Sequence, residues 1–123
     1  MKRTDFSVDW LFAACAPDTE LLPWNAQFTP VDLPHDWQIR HADDLYRDGT
    51  LFYRKYVFVT DVPGTRRMLW FGGAYMDTTV FVNGTEVGQW KYGYTSFWFD
   101  ITDALHEGQN EVLVRCNLRH PNS

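Results

Sequence analysis

The stretch "TTVFVNGTEVGQW", residues 78–90, decides the fold. Asn83-Gly84 supplies the two residues most tolerant of positive φ, which a tight two-residue hairpin turn of the primed type needs at both central positions. Strand-forming residues flank the pair on both sides, so the stretch predicts an antiparallel hairpin. Working outward, "YRKYVFVTD" (53–61) alternates aromatic or aliphatic residues with polar ones and stops at the Pro63-Gly64 turn. "MLWFGG" (68–73) is a nearly continuous apolar strand ending in paired glycines. "TSFWFDITDAL" (95–105) places Phe97, Phe99 and Ile101 on one face, and "NEVLVRCNL" (110–118) sets Val112, Val114 and Cys116 opposite Leu113 and Arg115. Between these two, Thr102 or Asp103 offers an N-cap and Gly108 a C-terminal stop, which predicts one short helical turn. Long helical periodicity is absent. Short strands at about ten-residue spacing with turn signals between them predict an all-β sandwich or jelly roll.

The 123 residues are read as one domain, 1–123, large enough to bury roughly two-thirds of its extended surface in a single core. Aromatic residues make up 17%, with six Trp, six Tyr and nine Phe, more than a core of this size needs. Some rings are therefore expected to face a ligand, a partner domain or further chain, although aromatics also suit cross-strand pairing inside a sheet. The formal net charge of −5 and the lack of a basic run argue against nucleic acid and anionic membranes as partners. The start, "MKRTDFSVDWLFAACAPD", is interrupted by Asp5, Asp9 and Trp10 and reads as a cytoplasmic beginning, not as a secretion signal. No apolar run approaches the ~20 residues of a membrane helix. Cys15 and Cys116 lack metal-type spacing and read as small, reduced core residues.

Catalytic chemistry is hard to find. His35, His41, His106 and His120 are scattered without a metal-ligand spacing, and no nucleophile arrangement is legible around them. Glu20, Glu86, Glu107 and Glu111 are expected in turns or at strand edges, where solvated carboxylates sit. Asn83-Gly84-Thr85 matches a glycosylation sequon only by accident of the hairpin turn. Gly72-Gly73 reads as a strand end that another backbone approaches closely. Sugar binding is the remaining direct chemistry, since aromatic faces stack on C–H-rich rings and planar polar groups reach hydroxyls. In "GQWKYGYTSFW" (88–98), Trp90, Tyr92, Tyr94 and Trp98 are the candidates.

The run "VDLPHDWQI" (31–39) is stiff for a connector. Pro34 extends Leu33 and has no N–H to give a ladder, so the segment cannot be an interior strand. Asp36 can accept backbone N–H groups in an Asx-type turn, and Trp37 can bury its ring. Leu33, Pro34, His35, Asp36 and Trp37 are thus expected either to lid the core or to face a neighbouring domain.

Taken in order, Trp24, "LPHDW" (33–37), Gly49 with "FYRK" (52–55), "LWFGGAYMDTTVFVNGTEVG" (69–88), "YGYTSFWFDITDAL" (92–105) and "GQNEVLVRCN" (108–117) resemble the N-terminal domain of family 2 glycoside hydrolases. The resemblance runs from about Trp10 to the last residue. It implies a galactose-binding-like jelly roll followed, in a longer polypeptide, by an immunoglobulin-like domain and a catalytic (β/α)8 barrel. The catalytic glutamates of such enzymes lie in the barrel, so Asn110-Glu111 is a coincidental match to the acid/base motif, and this chain is expected to be non-catalytic, with no cofactor and no metal. The resemblance also implies that Leu33–Trp37 and the "FYRK" strand face the barrel, and that Arg54 lies at the edge of its pocket. Galactosides are the favoured substrates, ahead of glucuronides and mannosides. Ending at "RHPNS", the chain stops short of the family's later strands, so the jelly roll is expected to be incomplete there, with an open edge suited to a homodimer or strand swap. The alternative is a free-standing carbohydrate-binding module.

Overall fold

The structure, a computed structural model, describes residues 6, 9–16, 19–32, 49–60, 64–71, 77–90 and 97–118, with the backbone alone at Phe71, Asp77, Trp90, Phe97 and Leu118. The connector Leu33–Trp37 and the Gly72-Gly73 pair lie outside the described residues. The strands are β1 (Trp10–Cys15), β2 (Thr29–Val31), β3 (Gly49–Val59), β4 (Met68–Phe71), β5 (Asp77–Val82), β6 (Thr85–Trp90), β7 (Phe97–Asp100) and β8 (Gly108–Leu118). Six of them form an antiparallel sheet in the order β2-β1-β3-β8-β5-β6, and β4 pairs with β7 in a second sheet. The jelly-roll sandwich read from the sequence is the architecture found.

The hairpin β5–β6 turns where expected. Asn83 and Gly84 both have positive φ, 52° and 82°, the signature of the primed turn. A register shift between Val80 and Phe81 adds a local bulge to this hairpin. β3 is longer than its alternation foretold, because it begins at Gly49 and pairs with β1 on one side and β8 on the other. Its first half has no solvent face: Thr50 and Phe52 are as buried as Leu51 and Tyr53. A strand covered on both faces reads as an apolar run instead of an alternation. β1 escapes sequence reading because "WLFAAC" carries no polar residue to mark an outer face, although only Trp10 and Ala13 of its six residues are buried.

The core lies between the sheets. β1 contributes Trp10; β3 contributes Leu51 and Tyr53; β5 contributes Val80 and Val82; β8 contributes Val112, Val114 and Cys116; Leu69 of β4 and Ile101, just after β7, complete it. Val80, Val82 and Val112 are fully buried, each stabilising the fold by about 1.5–3 kcal/mol. The sheets come so close that a methyl at Gly88 would collide with the Phe99 ring. Burial pushes the Cys116 thiol up to about 11, partly offset by Thr78, and pushes the Tyr53 phenol up as well. Cys116 is thus the small, protonated core residue that the sequence suggested.

The short helical turn is a 3-10 turn over Thr102–Ala104, but its expected caps are not used. Ile101 stands at the N-cap position without a side-chain cap. Thr102 instead donates its N–H to Asp100 Oδ1 at 3.0 Å and accepts the Arg67 N–H at 2.7 Å. Gly108, φ 103°, opens β8 and is not a helix stop. Asn110, 1% exposed, ties this corner together. Its carbonyl oxygen accepts from Asn83 Nδ2 (2.8 Å) and the His106 N–H (3.0 Å), and its amide nitrogen donates to the His106 and Gly108 carbonyls (2.9 and 3.0 Å). The hairpin turn and the loop before β8 therefore share one buried polar clamp.

Candidate functional site

Two outward faces carry the candidate residues. On the large sheet, even-numbered β3 residues point away from the core, and Arg54 sits between Leu11 of β1 and Leu113 of β8. Its guanidinium lies 4.0 Å from the Phe28 ring centroid and 5.4 Å from that of Tyr56, with a terminal nitrogen 3.9 Å from Glu111 Oε2. Arg115, diagonal to it on β8, covers the Phe81 ring at 5.3 Å and donates to the Glu20 carbonyl (2.6 Å) and to Thr79 Oγ1 (3.4 Å). The buried Nε of each arginine has no hydrogen-bond partner among the described residues, so the rings, not further acceptors, hold these cations in place. Thr19 donates its N–H to Thr50 Oγ1, and together with the Glu20 and Phe28 contacts this lays the 19–28 segment across the face. Beyond that cover, Tyr56 and Phe58 are exposed, Phe58 to 75%.

On the small sheet, Leu69 points inward while Met68 and Trp70 of β4 and Trp98 of β7 point to solvent. Trp70 and Trp98 are directly opposed in the register, so their side chains leave the sheet on one side at neighbouring positions. They are 55% and 59% exposed. Asp100, opposite Met68, takes an ion pair from Arg66, which lies just before β4. Thr102, through side chain and backbone, and then Arg66 hold the Asp100 carboxyl down at about 2.

The sequence candidates therefore separate. Arg54 and Trp98 lie on different sheets and on opposite outer faces of the sandwich. The Trp90 backbone ends β6 opposite Thr78, and its side chain, like Tyr92 and Tyr94, is outside the described residues. Glu111 departs from expectation: it lies inside β8, an interior strand, beside Arg54, because the cation compensates a half-buried carboxylate there. Glu20, Glu86 and Glu107 are exposed as expected. Sequence reading missed Trp70, because "MLWF" (68–71) is a continuous apolar strand in which no polar residue marks the outer face. Among the described residues no group of three or more His, Cys, Asp and Glu is placed to hold a metal ion.

Known proteins are similar to this chain over most of its length. No family model matches it. A β-galactosidase of Bacteroides ovatus is 33% identical over 142 residues, covering 99% of this chain and 16% of that protein. A glycosyl hydrolase family 2 member from Bacteroides cellulosilyticus superposes with a TM-score of 0.74 at 28% identity, over 95% of this chain and 18% of the other. The chain is a family 2 glycoside hydrolase domain. A β-glucuronidase of Bacteroides fragilis, 35% identical over 107 residues, covers 76% of the chain and 15% of its own length. Family 2 relatives of both activities thus share the same small region. The chain spans 12% to 16% of the curated relatives' length, which corresponds to the non-catalytic N-terminal jelly roll of such enzymes.

Proposed function

We propose that this chain braces the catalytic (β/α)8 barrel and the immunoglobulin-like domain of a longer retaining β-glycosidase and performs no bond cleavage itself. The observation that carries the reading is coverage: 99% of the chain aligns with only 16% of a β-galactosidase, so most of such a protein lies elsewhere. Retaining hydrolysis needs two carboxyl groups about 5–5.5 Å apart, one as acid/base and one as nucleophile. Here Glu111 is engaged by Arg54, and the exposed glutamates are spread over separate turns and strands. The relatives' names point to galactosides or glucuronides as substrates of the whole enzyme.

The docking surface in this reading is the outer face of β3 beyond the 19–28 cover, where Tyr56 and Phe58 stand exposed beside the clamped Arg54. Arg54 then acts at the pocket edge from a fixed position, by orienting Tyr56, since Phe28 and Glu111 keep it from swinging out. The free-standing module remains the competing reading, and an open reading frame ending near Ser123 would favour it. Phe58→Asp in the isolated chain and in the parent enzyme tests the docking. The chain's melting should be unchanged within about 0.5 kcal/mol, while the parent's glycosidase activity is lost at lower temperature. Equal behaviour in both overturns the docking face.

A further inference from the structure

We propose that Asn83 is a self-modification site gated by the fold: the corner clamp holds its amide back, and once the clamp opens the Gly84 nitrogen attacks the Asn83 side chain and converts it to aspartate or isoaspartate. Of Asn25, Asn83, Asn110, Asn117 and Asn122, only Asn83 precedes a glycine. A glycine carries no side chain to shield its own nitrogen. A Cβ placed on Gly84 would meet nothing within 4 Å among the described residues, so no neighbour shields it either. Asn83 is itself exposed, which lets water reach the reacting atoms.

The step needs no co-reactant except water. The Gly84 nitrogen gives its proton to solvent and bonds to Asn83 Cγ; the Cγ–Nδ2 bond breaks and ammonia leaves. Water then opens the cyclic imide at one carbonyl or the other. Either the side chain becomes a carboxylate, or the main chain is rerouted through it.

The fold opposes the first of these events. Nδ2 donates to the Ala104 carbonyl and to Asn110 Oδ1, both at 2.8 Å, while Oδ1 accepts the Glu111 N–H at 3.0 Å. The Asn83 N–H donates in turn to the Glu111 carbonyl at 2.9 Å. Attack makes Cγ tetrahedral and expels Nδ2, so a planar amide pinned at both ends has to leave its three side-chain bonds first. The reaction therefore waits on a local opening of the corner. Once made, the product does not fit back. A carboxylate has no N–H, so an oxygen stands where Nδ2 met the Ala104 carbonyl and Asn110 Oδ1, acceptor against acceptor. Asn110 can turn its amide nitrogen toward that oxygen only by giving up the His106 and Gly108 carbonyls. Isoaspartate lengthens the main chain of a tight two-residue turn. Conversion thus unlatches the hairpin from the loop before β8, and it does so whatever the outer faces of the sandwich bind.

The test follows the Asn83 peptide by mass spectrometry, with isoaspartate counted by enzymatic methylation, in the purified chain kept at mildly alkaline pH either folded or in guanidinium chloride. The unfolded chain should convert Asn83 ahead of the other asparagines, and the folded chain should convert it about tenfold or more slowly. Asn110→Ala, folded by circular dichroism, should speed conversion several-fold over the unsubstituted chain. Where that variant does not fold, guanidinium below the unfolding transition of the unsubstituted chain should give the same rise. Asn83→Asp, the direct product, should unfold at a lower guanidinium concentration. The proposal is overturned by no preference for Asn83 in the unfolded chain, by equal rates folded and unfolded, or by a rate that neither the folded Asn110→Ala variant nor mild guanidinium raises. An unshifted unfolding midpoint for Asn83→Asp overturns it as well.

Discussion

The two outer faces of this sandwich both carry aromatic rings and treat them in opposite ways. The large sheet's face presents Phe52, Arg54, Arg115 and Thr79; Phe52 and Thr79 are buried there, and the 19–28 segment is tied to the same face through Thr50, Arg54 and Arg115. The small sheet's face presents Met68, Trp70 and Trp98 and leaves them in water. An aromatic content above what the core uses is thus explained twice, once by a second, covered layer and once by exposed rings. Residue type alone does not distinguish the two; what lies over each face does.

The sharpest way to break that contrast is a matched pair of truncations. Phe52→Ala should cost about 3–5 kcal/mol, read by urea unfolding, because a fully buried ring leaves a cavity under the cover. A value below about 1 kcal/mol would mean that the 19–28 segment does not seal that face. Next in size is Asn110→Ala, at about 2–4 kcal/mol, since it leaves the His106 N–H and carbonyl without their Asn110 partners and takes from the Asn83 amide one of its two acceptors, the Ala104 carbonyl remaining. Asn110→Asp should be little better, because a carboxylate cannot donate to the His106 and Gly108 carbonyls.

A pH effect comes third. Burial raises the folded-state value of Cys116, so its contribution is fully present below the ordinary thiol value of 9.0 and is lost as pH climbs through about 11; Tyr53, raised by burial above its ordinary 10.0, adds a loss that begins only above that value. Stability should fall along that alkaline limb, and Cys116→Ser should flatten part of it. The same burial makes half-exposed Cys15 the thiol that reacts first with a water-soluble alkylating reagent. Smallest is Trp70→Ala, expected at about 1 kcal/mol or less, because more than half of its surface is already in water. A loss approaching that of Phe52→Ala would erase the difference between the faces.

Much of this architecture was legible in the residue order. The Asn83-Gly84 turn, the inward set Val112, Val114 and Cys116, and the all-β class follow from turn chemistry and period-two alternation. The start of β3 was not legible, because a strand buried on both faces loses its alternation, and β1 was not, because "WLFAAC" has no polar residue to mark its outer face. The helical turn's position was readable and its caps were not: Asp100, two residues upstream, captured the Thr102 N–H first. Of the site, Arg54 and Trp98 were visible as residue types suited to sugars, but their separation onto opposite faces needed the sheet order. Trp70 was hidden by the apolar run around it.

The most direct test of the central claim is an assay of the purified 123-residue chain and of the parent enzyme on 4-nitrophenyl β-galactoside and β-glucuronide. The parent should release nitrophenol from at least one of them, and the chain from neither at any concentration. Sustained release by the chain alone would contradict the account.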